Sequence, residues 1–89
     1  MPGMPSTPSA GASVLAVRFV DESISVDLAD GRTISAPLAW YPRLLNASEA
    51  EREDWQLAAG GYGIHWPRID EDLSVEGLLR GAPAPGVVV

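Results

Sequence analysis

Ser23-Ile24-Ser25-Val26-Asp27-Leu28-Ala29-Asp30-Gly31-Arg32 decides the fold class of this 89-residue chain. Ile24, Val26 and Leu28 alternate with Ser25 and Asp27, the period of a strand with one face on a core and one in water. Asp30-Gly31 then supplies two residues suited to the positive φ angles of a type I′ hairpin turn. That turn predicts a third strand, Arg32 to Ala36, with Ile34 facing the core. Upstream, Val14 to Val20 sets Leu15, Val17 and Phe19 on one face against Ala16 and Arg18 on the other, and Asp21-Glu22 turns the chain into the central strand. The three strands make an antiparallel β-meander.

Beyond Pro37, which ends the third strand, Trp40, Tyr41, Leu44 and Leu45 fit a short helix begun near Pro42, where a proline's missing N–H is harmless. Ser48 and Glu51 have capping-box spacing, and Glu49, Glu51 and Glu53 suit the positive end of a helix dipole. A helix is expected from Glu49 to about Ala59, pinned to the sheet by Trp55. Gly60-Gly61-Tyr62-Gly63 reads as its stop and as a hinge. Ile64 to Trp66 is a short extended segment suited to a fourth strand, limited by Pro67. Ser74 caps a last helix, Val75 to Arg80, which Gly81 terminates. The expected architecture is α+β: a three- to four-stranded antiparallel sheet with two or three short helices packed on one face. Residues 12–81 form one domain, and residues 1–11 and 82–89 read as flexible tails from their proline, glycine and alanine content. The closing Val87-Val88-Val89 either docks or frays.

A domain of this size draws only roughly 3 to 5 kcal/mol from its core, so a partner or self-association would help it. Without cysteine it is neither a disulfide-stapled secreted domain nor a thiolate zinc module, and the expected location is the cytoplasm. The start has neither the basic residues nor the apolar run of a secretion signal, and no segment is long enough to span a membrane. All six basic residues are arginines, which removes Schiff-base and phosphate-loop lysine chemistry. A net charge of −6 with no basic stripe argues against direct nucleic-acid binding.

Two groups of residues carry what chemistry the sequence offers. His65 stands before Asp70-Glu71-Asp72, and His65, Asp70 and Asp72 are the residues from which a divalent-metal or acid/base site would be assembled, although a lone histidine lacks a second nitrogen or sulfur ligand. The acids have a competing structural role, since Asp72 and Glu76 flank the start of the last helix. Ser48 and Ser74 are better used as caps than as nucleophiles, so no catalytic, cofactor or metal residue is assigned. The second group is aromatic. Trp40, Tyr41, Arg43, Tyr62 and Trp66 form a candidate partner-binding patch, because tryptophan, tyrosine and arginine anchor interfaces. Trp55 and Trp66 are expected in the core, with Tyr41 and Tyr62 at the surface.

Trp40-Tyr41-Pro42-Arg43-Leu44-Leu45-Asn46-Ala47-Ser48, Trp55, Gly63-Ile64-His65-Trp66-Pro67 and Asp70-Glu71-Asp72-Leu73-Ser74-Val75-Glu76-Gly77-Leu78-Leu79 together resemble the bacterial domain of unknown function 2442 family, from about Val14 to Gly81. The resemblance implies a small bacterial α+β protein, in some relatives attached to a helix-turn-helix domain and often encoded beside another small protein. It implies no catalytic residue. Because the chain ends soon after Leu79, a regulatory role would require a separate partner. The expected function is thus a small acidic, non-enzymatic protein-interaction module, with the regulatory or antitoxin-like half of a two-gene module as the role the family setting implies. Its expected partner is a protein, basic or encoded by a neighbouring gene. The alternatives are a metal-dependent or acid/base enzyme centred on His65, and a homodimer or homo-oligomer formed through an open edge at Val14 to Val20 or at the third strand.

Overall fold

A computed structural model describes residues 12–81 and Pro83. Its α+β fold contains two three-stranded antiparallel sheets and three short α-helices. The first sheet is the expected meander, β1 (Val14–Val20), β2 (Ser23–Leu28) and β3 (Thr33–Pro37), in the order β1-β2-β3. Ile24, Val26 and Leu28 are buried on its core face. The expectations for the two ends lie outside the described residues, except at Pro83.

Three local readings of the meander change. The pairing of Val14 with Leu28 and of Ala16 with Asp27 leaves Leu15 as an extra residue in β1. This bulge shifts the alternation by one, so Val14 is buried while Leu15, expected on the core face, is 64% exposed. The two consecutive positive φ angles occur at Asp21 (51°) and Glu22 (64°), in the β1–β2 turn. At the β2–β3 turn only Gly31 is positive, at 95°. There Asp30 Oδ1 accepts the Arg32 backbone N–H at 3.0 Å, Gly31 N–H donates to the Leu28 carbonyl at 3.0 Å, and Leu28 N–H donates to the Arg32 carbonyl at 2.8 Å. The carboxylate's grip two residues on favours a three-residue loop over the two-residue turn, and β3 starts at Thr33. The Arg32 N–H also holds the Asp30 carboxyl below the usual carboxylate range.

Asp21 tolerates the left-handed region through its short polar side chain, but Glu22 lacks that short side chain and is strained there. Replacing the pair by asparagine and glycine (Asp21→Asn with Glu22→Gly) is expected to raise stability by about 1 kcal/mol in urea unfolding. A loss of stability would show that this turn is not strained.

After a 3₁₀ turn at Leu38–Trp40, α1 (Pro42–Leu45) begins at its proline as expected. The capping box also forms, with Ser48 Oγ accepting from Glu51 N–H at 3.1 Å and Glu51 Oε1 from Ser48 N–H at 2.9 Å. The helix it opens, α2 (Glu49–Glu53), is far shorter than the expected run to Ala59. Trp55 leaves it to pack on the core, and the next three residues form β4 (Gln56–Ala58). Ala59, Gly60 and Gly61, all at positive φ, turn the chain into β5 (Gly63–Trp66). The glycines therefore build a hairpin connection, where a helix stop was expected. Leu57, within the span expected to be helical, pairs across strands with Ile64.

The second sheet is completed by β6 (Glu71–Ser74), giving the order β4-β5-β6. Helix α3 (Val75–Arg80) then follows as expected: Ser74 Oγ accepts from Gly77 N–H at 2.9 Å, and Gly81 ends it at φ 72°. Val75 and Leu78 join Ile24, Leu44, Ile64 and Trp66 in one core between the sheets and helices.

Candidate functional site

Antiparallel pairing sets His65 of β5 directly opposite Asp72 of β6. His65 Nδ1 lies 2.7 Å from Asp72 Oδ1, in a pair with one-third of the histidine and 70% of the aspartate side chain exposed. Asp70 does not join them. It sits in the preceding turn at φ 55°, where its carbonyl accepts from Arg43 NH1 and its Oδ2 is 3.8 Å from the same nitrogen. Strand alternation sends Glu71 to the face opposite Asp72. Asp72 also lies within β6 and not in the first turn of α3, where Glu76 alone carries the favourable charge. The expected trio is thus divided into a surface His–Asp pair and an Arg43–Asp70 contact. Among the described residues no three His, Cys, Asp or Glu side chains converge. Ser48 and Ser74 both act as caps, so the His65–Asp72 pair has no hydroxyl nucleophile among its hydrogen-bond partners.

The aromatic patch is divided as well. Trp66 is fully buried, and Tyr41, expected at the surface, is buried with it at 1% exposure. Tyr41 immediately precedes α1, lies edge-on to Trp40 at 6.5 Å and belongs to the buried core. Its hydroxyl is enclosed without a hydrogen-bond partner. Burial raises its pKa above the ordinary tyrosine value, and the Glu71 carboxylate raises it further. Removing an unsatisfied buried hydroxyl relieves its desolvation cost, so Tyr41→Phe is expected to leave stability unchanged or raise it by about 1 kcal/mol. A loss of that size in urea unfolding would instead reveal a partner for the hydroxyl.

The remaining patch residues sit apart. Arg43 is exposed and turned toward Asp70, Trp40 is half-buried near Gly81 at the end of α3, and half-buried Tyr62 lines a groove. The groove has a volume of about 570 Å³. Ala12, Tyr62, Val75 and Leu79 give it an apolar lining, with Arg32, Glu76 and Ser74 supplying polar groups. Arg32 is held in place by Asp30, whose Oδ2 accepts from its Nε at 2.7 Å. The Tyr62 carbonyl accepts the first N–H of α3, from Val75, at 3.0 Å, which joins the two walls. Leu79 remains 47% exposed. Of these residues only Tyr62 was expected at a contact surface. Leu79 had a legible signal: it stands one turn after Val75, at the margin of the stripe that buries Val75 and Leu78.

The family model for the protein of unknown function DUF2442 matches residues 14–84. The chain belongs to that family. The match contains every motif that carries the resemblance, from Trp40 to Leu79. The chain is similar to the crystal structure of a protein of unknown function from Rhodospirillum rubrum, at 29% identity and a TM-score of 0.70, covering 83% of this chain and 92% of the other. The solution NMR structure of an uncharacterized protein from Chromobacterium violaceum has the same TM-score of 0.70 at 20% identity, covering 83% of this chain and 70% of the other, and shows a shared fold alone. No curated protein matches this DUF2442 chain. Among the described residues no helix is long and apolar enough to cross a membrane.

Proposed function

We propose that this DUF2442 domain is a non-enzymatic protein-interaction module whose groove beside α3 receives a segment of a protein partner. The observation that carries this reading is the groove itself: Tyr62, Val75 and Leu79 offer an apolar seat, and Glu76 stands beside it. The segment that fits brings one apolar side chain to the seat and a basic group to Glu76. Charge favours such a partner, because the chain carries −6 and Arg32, the groove's own cation, is already paired with Asp30. The surviving surface aromatic of the groove, Tyr62, is the residue type that anchors interfaces.

In a two-gene bacterial module, such a domain would be the regulatory, antitoxin-like half acting in the cytoplasm, and the product of the neighbouring gene would be the partner. Light scattering on a sizing column tests this with the two purified products. The expected result is a complex that Leu79→Glu and Glu76→Arg each weaken at least tenfold, a loss of the size seen for an interface anchor, while this chain keeps its cooperative melting and loses no more than the ~1 to 2 kcal/mol that an unfavourable charge at an end of α3 costs. An unchanged mass on mixing, or a complex indifferent to both substitutions, contradicts the proposal.

A further inference from the structure

The two sheets expose four edges of unequal character. β3 ends in Pro37, and the following Leu38 N–H folds back to the Glu22 carbonyl at 2.9 Å. β4 has three residues; β6 has four and carries Glu71 and Asp72. β1 has seven residues, no proline, no lysine and no carboxylate, and its exposed Leu15 and Val20 flank the accessible stretch. Natural proteins shield long apolar edges, and the bulge near the start of β1 and the single Arg18 leave Ala16 to Val20 as the longest edge segment free of acids and proline.

The two-residue turn at Asp21-Glu22 makes Val20 and Ser23 the closing hydrogen-bonded pair of the β1–β2 hairpin. Alternation along the ladder then aims the N–H and C=O groups of Val17 and Phe19 away from β2. Among the described residues, none of the backbone hydrogen bonds made outside the ladders engages residues 14–20. The bulge at Leu15 limits the regular edge to Ala16 through Val20.

We infer that the outer edge of β1 is a self-association site, where a second copy of this chain adds its own β1 antiparallel and joins the two meanders into one sheet. A two-fold axis at Arg18 sets Val17 opposite the second copy's Phe19 and Ala16 opposite its Val20. Val17 and Phe19 of each copy then exchange main-chain hydrogen bonds, and apolar side chains meet on both faces of the new sheet. Two chains of net charge −6 repel wherever acids face acids, which opposes self-pairing of β6 with its Glu71 and Asp72 and permits it at β1, which carries no acid. The axis sets Arg18 opposite the second copy's Arg18, and each guanidinium is offset within its own subunit by Asp27, through Nε–Oδ2 at 3.1 Å and NH2–Oδ1 at 2.8 Å. The contact is isologous, so it closes after two copies. It uses no groove residue and stands independently of the partner reading.

Light scattering of the protein alone, from micromolar to millimolar concentration, is expected to give twice the chain mass. Val20→Lys adds a charge to the edge and Val17→Pro removes an N–H that β2 does not use; both are expected to return the monomer with an unchanged circular dichroism spectrum. A wild-type monomer throughout the range overturns the inference, as does a dimer that survives Val20→Lys. If Val17→Pro fails to fold, amide exchange of the wild type decides in its place. Slow exchange at Val17 and Phe19 supports the paired edge, and rapid exchange at both overturns it.

Discussion

Trp66→Ala is expected to leave too little stability for a populated folded state. The indole is fully buried, meets Phe19 edge-on at 6.5 Å, and donates from Nε1 to the Arg52 carbonyl at 3.0 Å. Large aromatic truncations in a core cost about 3 to 5 kcal/mol, and a core of this size supplies roughly the same amount. The substitution opens a cavity where β1, β5 and the end of α2 meet, and it orphans a carbonyl as well. Circular dichroism during urea titration should show no cooperative transition. Trp66→Phe, which keeps most of the volume and loses only the N–H, should retain a transition at a lower midpoint. A Trp66→Ala variant within about 1 kcal/mol of wild type would mean that the site collapses or was never packed as described.

Arg52→Ala is expected to cost about 2 to 3 kcal/mol, through hydrogen bonds from a charged donor and not through lost burial. Its guanidinium donates from Nε to the Leu44 carbonyl and from NH2 to the Leu45 carbonyl, each at 2.9 Å, satisfying the last carbonyls of α1. The same group lies 5.6 Å from the centre of the Phe19 ring, while the backbone carbonyl of Arg52 receives the Trp66 indole. One residue thus ties α1, β1 and β5 to the end of α2. Arg52→Lys keeps the charge but lacks the planar fork that reaches two carbonyls, so it should recover less than half of the loss. Urea midpoints measure both variants, and full recovery by lysine would show that charge, not geometry, matters here. Because the Arg52 guanidinium and the Trp66 ring both pack on Phe19, the effects of Arg52→Ala and Trp66→Phe should fall short of additivity.

Local rules made much of this fold legible. Alternation at Ile24, Val26 and Leu28, proline at the start of α1, the Ser48–Glu51 capping box and the Ser74 and Gly81 caps of α3 each depend on neighbours within a few residues. What escaped depends on distant contacts. Nothing local to Gln56-Leu57-Ala58 says strand, and only pairing with Gly63 to His65 makes it one. The same holds for Glu71 to Ser74, whose acids read as helix-dipole partners until β5 lies beside them. Leu15 was misplaced because one inserted residue in a bulge inverts the faces on either side of it.

The candidate site follows the same division. Residue type marked Tyr62 as a surface anchor and joined His65 to the acids, yet only register could select Asp72 from among Asp70, Glu71 and Asp72. Tyr41 illustrates the converse, since an aromatic beside an interface-like arginine became a core residue once α1 folded over it. The groove brings Ala12, Arg32 and Tyr62 to one flank of α3 across wide sequence separations, which no periodicity could reveal.

The central claim is that the groove beside α3 is where this DUF2442 domain meets a protein. Site-specific photocrosslinking in the native host tests it most directly, with the photoreactive residue placed in turn at Leu79 in the groove and at Leu45, another exposed leucine that does not line it. The account predicts one discrete adduct from position 79, identified by mass spectrometry as the neighbouring gene's product, and none from position 45. No adduct at 79, or the same adducts from both positions, would contradict it.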